Sequence, residues 1–421
     1  MRRPSILFLN RVYPPVNGAT GRVLRDLARA FAREGWQVTV ITTESKAGKS
    51  RDGGIRVIRL KGPSRPRGIF SYMIVWAKMM MAALRLPATS LIVTMTDPPL
   101  LILAGRLLRR VKKNRHMHWC HDLYPDIFPS LNVRMPQFLM RSMKIMSRRS
   151  MRECDKTIVI GRCMAKHLAY GGVDPRNITV IPNWPDYELV KPRGAEGFNY
   201  VSAAIPPHAN LNIKVNGAKS VDEQLKDEAP KFRVLYAGNI GRAHPLGTIL
   251  GAAEILDVEN PEIEFVFVGD GPRFDELAKE RARRGLHNIR LLPYQPQSRL
   301  RQIMESGDIH LISMREDAAG MLVPSKLYAA LAVARPCIFL GPAQSETAKV
   351  INDFNAGAVL PQGDARALAD QIRHYRMNGE DWFTAHTGAA AAAKIFIPSE
   401  AINAWLERAW SVVKSDLGNA A

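Results

Sequence analysis

Cysteine is scarce, with only Cys120, Cys154, Cys163 and Cys337 in 421 residues. No pair has metal-ligand spacing, and so few thiols exclude a disulfide framework. The usage fits a reducing, cytoplasmic compartment. Long apolar runs are also missing. The stretch Ser5–Leu9 is too short for the core of a secretory signal, and Arg11 ends it. The most apolar segment, residues 69–86, is interrupted by Lys78 and Arg85, so no span of about 18 residues can cross a bilayer. Neither a G-x-G-x-x-G dinucleotide fingerprint nor a D-x-D metal pair occurs. With 46% hydrophobic and 23% charged residues, the chain is not disordered.

Acidic residues are sparse in one half only. The whole chain holds 59 Lys and Arg against 39 Asp and Glu, a net charge of +20. Residues 1–190 carry 33 and 12 of these, a net of +21, which leaves 26 and 27 in the remainder, a net of −1. Thirteen of the 17 Met lie in the same basic half. An excess confined in this way suggests that one half faces an anionic partner: nucleic acid, a membrane surface or a phosphorylated substrate. No nucleic-acid module is recognisable and the aromatics fall at helical spacing, which argues against nucleic acid.

The length implies two domains. Ser5–Leu9 reads as a strand, residues 21–35 as an amphipathic helix, and Val38–Thr42 as a second strand, together a βαβ unit. Strand-like runs recur at Ser90–Thr94, Met117–Trp119, Lys156–Ile160 and Ile178–Ile181. After a polar stretch at 191–230, read as a linker or insertion, they resume at Phe232–Tyr236, Phe265–Val268, Ile289–Leu292, Ile309–Ser313, Cys337–Leu340 and Ala358–Leu360. Helical segments lie between them. The expectation is an α/β chain of two doubly wound, Rossmann-like domains, 1–190 and 231–395, facing across a cleft, with ligands at the carboxyl ends of the strands. A last amphipathic helix, Ile402–Val413, lies within 396–421.

Five segments carry chemistry. Pro14–Gly21 leads from the first strand into the first helix, where free N–H groups and the helix dipole favour an anion. Tyr236–His244 follows the first strand of the second half; its glycines permit close backbone approach and Arg242 can grip phosphate. Val268–Pro272 is a second glycine turn at a strand end. Val323–Tyr328 places Ser325 and Lys326 at a helix start. His118–Asp126 holds two His, two Asp and two aromatics at another strand end. His121 there can hydrogen-bond a sugar hydroxyl, and Asp122 can orient it or handle a proton.

This set resembles the family-4 retaining glycosyltransferases of the GT-B fold, over nearly the whole chain. The likeness rests on Asn17-Gly18, Thr96–Pro99, His121–Pro125, Ile181–Trp184, Tyr236–His244, Gly269–Pro272, Pro324–Tyr328 and Ala356–Pro361. The subgroup it suggests builds bacterial capsule, O-antigen and exopolysaccharide units. Two departures stand out. Met321 and Ala329 occupy positions where many members carry glutamates, and Thr248 stands where many carry a lysine.

The resemblance implies a hexosyl- or acetamidohexosyltransferase acting with retention. Its co-substrate is a UDP- or GDP-linked sugar, and no cofactor or metal is expected. Arg242 and Lys326 grip the diphosphate, with Lys326 replacing the missing lysine. Gly238, Asn239, Gly241, Gly269, Gly271, Pro272, Tyr294, Ser325 and Glu346 complete the donor site in the second domain. Asn17 and Gly18 approach from the first domain, His121 contacts the sugar and Asp122 supports it. The final helix is expected to return to the first domain. The segments Arg65–Arg85 and Arg134–Arg152 interleave cations with Met and aromatics, as interfacial segments do. They are expected to hold the first domain on an anionic membrane, at its inner face, over a polyprenyl-diphosphate-linked or other membrane-associated glycan acceptor. A GT-B sugar-nucleotide epimerase and an inactive nucleotide-sugar-binding homologue are the alternatives.

Overall fold

The computed structural model describes residues 3–16, 18–63, 66, 68–191, 231–271 and 273–417. Asn17, Arg65, Pro272 and all of the expected linker beyond Lys191 and before Lys231 lie outside the described residues. The chain divides into two compact units. One contains Met1–Asn183, Gly320–Val323 and Ser399–Ala421; the other contains Trp184–Ala319 and Pro324–Pro398.

The first unit is built on an eight-stranded sheet. Its strands are β1 (Ser5–Leu9), β2 (Gln37–Glu44), β3 (Gly48–Asp52), β4 (Ile55–Lys61), β5 (Leu91–Thr94), β6 (Arg115–Cys120), β7 (Lys156–Val159) and β8 (Ile178–Val180). They run in the order β3-β4-β2-β1-β5-β6-β7-β8, all parallel except the β3–β4 hairpin. The strand order reverses beside β1, which pairs with β2 on one side and β5 on the other. Loops leaving β1 and β5 therefore diverge and open a crevice there.

Helix Ala19–Arg33 buries Val23, Leu24, Leu27, Ala28 and Phe31, the i, i+4, i+8 face that the spacing predicts. Gly35, at φ +82°, turns the chain into β2. The C-terminal helix Pro398–Leu417 belongs to this unit from Ser399 on. It seats Trp405 against Trp119 and Trp410 against Trp36, each pair with centroids 4.8 Å apart. Burying an indole as completely as Trp405 stabilises the fold by roughly 3 kcal/mol, most of it apolar area.

The second unit holds six parallel strands: β9 (Phe232–Ala237), β10 (Ile263–Val268), β11 (Ile289–Leu292), β12 (Ile309–Ser313), β13 (Cys337–Leu340) and β14 (Gly357–Leu360). Their order is β11-β10-β9-β12-β13-β14, a doubly wound sheet with its switch point between β9 and β12. Every residue of β10 is buried, as a strand covered on both faces requires. Its one charge, Glu264, is balanced by Arg290 and Arg233.

The expected break after residue 190 falls earlier, at Asn183/Trp184. The reason is local. Arg301 donates to the carbonyls of Glu188, Leu189 and Lys191, and Leu189 packs with Met304 and Val333, which ties this stretch to the second unit. Among the described residues no helix is long and apolar enough to cross a membrane.

Candidate functional site

In the second unit the two glycine turns at the ends of β9 and β10 interlock. Gly238 N–H donates to Val268 O at 2.8 Å and Ile240 N–H to Asp270 O at 2.9 Å. Gly238, Gly269 and Gly271 all have positive φ, +109°, +150° and +140°. A Cβ on Gly269 would lie 2.3 Å from Gly238 O, and one on Gly271 would lie 2.3 Å from Asn239 Oδ1. Glycine is demanded here by contact as well as by conformation.

Lys326 reaches the first of these turns. Its Nζ donates to Asn239 O at 2.8 Å and lies 5.0 Å from the centroid of the buried Tyr236 ring. Its stem passes within 3.5 Å of where a Gly238 side chain would begin. Enclosure by these groups lowers its pKa to about 8. Ser325 occupies the N-cap of helix Lys326–Ala332 without making a capping bond, so its hydroxyl is not consumed by the helix start. Arg242 is exposed on the same turn, and among the described residues no carboxylate pairs with it. Gly241 takes an ordinary conformation beside His244. His244 is held neutral by burial, with its pKa down near 3 and its Nδ1 on Ser313 O.

Tyr294 is exposed just beyond β11. Glu346 is buried at the first position of helix Glu346–Phe354, which Ser345 caps through a bond from Ala348 N–H. The structure thus brings together Gly238, Asn239, Gly269, Gly271 and Lys326, with Arg242 and Ser325 on the same segments. Tyr294, on the loop after β11, and Glu346, at its helix start after β13, stand on separate segments of this unit.

In the first unit the crevice loops are braced by Arg11. Its guanidinium binds Asp97 through two 2.7 Å bonds, a fork-on-fork pair between the loops after β1 and β5. Gly18 is the exposed N-cap of helix Ala19–Arg33, with no side-chain cap and no acidic residue in the first turn. A Cβ there would meet Val12 Cγ1 at 2.8 Å.

His121 follows β6, buried beside Trp119 with ring centroids 4.7 Å apart. Its neighbour in the sequence, His118, is a core residue whose Nδ1 lies 3.0 Å from Thr94 Oγ1. The expected support of His121 by Asp122 does not appear. Instead the Asn183 side-chain amide lies 3.4 Å from His121 Nδ1. An amide donating to Nδ1 puts the ring proton on Nε2, which is buried with no partner among the described residues. Burial and the neighbouring His118 lower the His121 pKa to about 3, so the ring is neutral near pH 7 and can donate a hydrogen bond.

Asp122 keeps some surface open, yet its surroundings and then Asp97 raise its pKa to about 7. The folded protein therefore binds a proton at Asp122 that the unfolded chain releases near pH 4. Stability falls through this group as pH rises from about 4 to about 7, and the full penalty persists above that window. Asp122→Asn is expected to remove this slope, making the variant relatively more stable at pH 8 than at pH 4. Denaturation midpoints across that range check it, and parallel curves for the two proteins would rule it out.

The three residues of the two departures have structural settings of their own. Thr248 is buried, accepts from Gly363 N–H at 2.8 Å and donates to Gln362, so it fastens the 361–364 loop. Ala329 is partly buried and packs against the apolar Leu189–Met304–Val333 cluster. Met321 pairs through its backbone with the first unit: Leu123 N–H donates to its carbonyl at 2.7 Å, next to the Asp122–Leu322 bridge. Asn183 and Tyr236 belong to quoted motifs, but nothing in their spacing announces the contacts they make.

A family described as Glycosyltransferase Family 4 matches residues 17–189, and one described as glycosyl transferases group 1 matches residues 231–378. WbjE of Pseudomonas aeruginosa, named as a glycosyltransferase, is 25% identical over 278 residues, 66% of this chain and 64% of its own length. WcaI of Escherichia coli K12, named as a colanic acid biosynthesis glycosyl transferase, is 28% identical over 227 residues, 54% of this chain and 50% of its own. The chain therefore matches less than two thirds of either relative. Among solved structures, Anabaena HepE in complex with UDP superposes with a TM-score of 0.67 at 16% identity, covering 97% of this chain and all of HepE.

Proposed function

The chain belongs to glycosyltransferase family 4 and has the GT-B fold, and on that premise we propose that it transfers a sugar from a UDP- or GDP-linked donor, with retention, in bacterial surface polysaccharide synthesis. The acceptor is a membrane-associated glycan carried on a polyprenyl diphosphate. The observation that carries this reading is the meeting of Lys326 with the interlocked glycine turns at the switch point of the second sheet.

Gly238, Gly269 and Gly271 carry no side chain, so a diphosphate can approach the backbone of the turns closely there. Lys326 and Arg242 supply the positive charge that a departing nucleoside diphosphate needs. As the anomeric carbon exchanges its phosphate oxygen for the acceptor oxygen, negative charge grows on the leaving group. Cations already in place stabilise it without reorganisation. His121, neutral and donating from Nε2, suits a sugar hydroxyl. HepE, a family likeness in fold, is a protein crystallised with UDP, which supports a nucleotide-bearing donor.

Membrane association rests on exposed apolar side chains beside cations. Phe70 is 82% exposed on helix Gly68–Arg85, where Ile69, Met73 and Ile74 are also uncovered. Phe138 is 76% exposed on helix Gln137–Glu153.

Arg242→Ala is expected to lower donor affinity by about tenfold, the value of one solvent-accessible bond to a charged group. Titration with UDP- and GDP-sugars measures it, and unchanged affinity and turnover would remove Arg242 from the site. The function itself is tested by incubating the protein with a nucleotide-sugar panel, with and without a polyprenyl-diphosphate-linked glycan. Nucleotide release only with the acceptor supports transfer. Isomerised sugar without acceptor favours the epimerase, and binding without turnover the inactive homologue.

A further inference from the structure

From the second basic segment we infer a specific site: the pocket at the start of helix Gln137–Glu153 binds the diphosphate headgroup of a polyprenyl lipid. This deepens the transferase reading and rests on its membrane-borne acceptor. The pocket has a volume of about 530 Å³ and is lined by Arg134, Arg141 and Lys144, with Val133, Met135 and Met140 forming its apolar wall. Among the described residues no acidic one lines it.

The charge there is unbalanced. Residues 127–152 hold six Lys and Arg and no Asp or Glu. Lys144 pairs with Asp126 at 3.6 Å, a carboxylate that Arg148 at 3.0 Å and His167 at 3.4 Å also hold. Arg134 and Arg141 are exposed, and among the described residues no carboxylate pairs with either. The helix begins here without a side-chain cap and with no acid in its first turn, so its dipole adds to the same field.

A free anion would use the cations but not what surrounds them. Phe138, Leu139, Ile145 and Met146 are exposed on the same helix and interleave with Arg141 and Arg149. Val133, Met135 and Met140 in the lining, with Phe138 and Ile145 exposed on the same helix, match a ligand whose phosphates are tethered to hydrocarbon. Three cations lining one pocket match a diphosphate better than the single charge of a phosphodiester headgroup.

Co-sedimentation of the full chain at about 0.1 M salt tests this, since diffuse attraction is screened there. Three vesicle types are used: phosphatidylcholine alone, the same with undecaprenyl diphosphate, and the same with phosphatidylglycerol at matched charge. Binding is expected to be tightest to the diphosphate vesicles. The double variant Arg134→Ala/Arg141→Ala should weaken that binding by about 150-fold, the loss of two charge-assisted bonds. Arg149→Ala, outside the pocket, should lose only the roughly fivefold of one diffuse charge.

Equal binding to the two charged vesicles, or a loss in the double variant no greater than the roughly 30-fold that two diffuse charges account for, would overturn the site. Full displacement by equimolar inorganic pyrophosphate would overturn the lipid as its occupant. Thermal shift by nucleotide-sugars on the same samples separates the two claims. Vesicle selectivity lost with that shift intact sinks the pocket alone, whereas selectivity retained without any shift sinks the transferase reading.

Discussion

Lys326→Ala is expected to lower turnover of the nucleotide-sugar by about 10²–10³-fold, the cost of removing one preorganised contact to a developing oxyanion. Among the described residues the ammonium has no carboxylate partner; it rests on a backbone carbonyl, Asn239 O, and over the Tyr236 ring. Both contacts leave most of its charge uncompensated, and enclosure shows this as a pKa lowered from 10.5 to about 8. The sign has two consequences. Between about pH 8 and 10.5 the unfolded chain binds a proton that the folded protein has lost, so stability rises through that window as far as Lys326 is concerned. Below it, holding the charged lysine costs stability. Lys326→Met should therefore unfold at a higher temperature than the parent at pH 7 while losing activity. In the parent, kcat/KM should decline above about pH 8 as the free protein loses this proton, and the decline should be missing in the variant. Steady-state kinetics from pH 6 to 9.5 decide the matter. A variant with wild-type turnover, or a parent profile flat through pH 9, would exclude Lys326 from the diphosphate.

The fold was legible where burial writes a simple pattern. β10, Ile-Glu-Phe-Val-Phe-Val, is buried on both faces and reads as a strand from its β-branched and aromatic content alone. Helix Ala19–Arg33 reads from its apolar stripe. The hairpin β3–β4 escaped because β3, Gly-Lys-Ser-Arg-Asp, is an exposed edge with nothing apolar to alternate. Its signal is the Gly53-Gly54 turn, with φ +56° and +89°, set before the alternating Ile55–Lys61. At the site, residue type indicated glycine, lysine and histidine, because phosphate and sugar chemistry require them. What pattern could not supply was partnership. Asn183 meets His121 across 62 residues and Lys326 meets Asn239 across 87, and contacts of that separation are fixed only by the whole sheet order. The same limit applies to Met321. It lies among second-unit residues in sequence, yet its carbonyl is bonded by Leu123 and it belongs to the first unit.

Gly269→Ala is expected to weaken nucleotide-sugar affinity by about 10²-fold, as displacement of a site by about an ångström does, and to lower the thermal midpoint by roughly 10 °C. The added methyl would begin 2.3 Å from Gly238 O and 2.8 Å from Gly238 C, on a residue at φ +150°. Neither chain can retreat. Gly238 N–H is bonded to Val268 O, Gly269 N–H to Leu292 O at 3.1 Å, and β9 and β10 are in register from Phe232 to Ala237. Overpacking against fixed backbone, together with the unfavourable φ, costs about 3 kcal/mol. The relaxation that remains is outward movement of the Gly238–Asn239 turn, and that turn holds Lys326. The lesion therefore reaches the cation although Gly269 does not touch it. Gly241→Ala is the control. Its Cβ would lie 3.4 Å from His244 Cδ2, at an ordinary φ, so stability should change by less than about 0.5 kcal/mol. If Gly269→Ala bound donor like the parent, the glycine turns would be chain reversals and not a diphosphate cradle. If both variants lost affinity equally, the loss would follow the turn's flexibility, and close backbone approach at Gly269 would not be its cause.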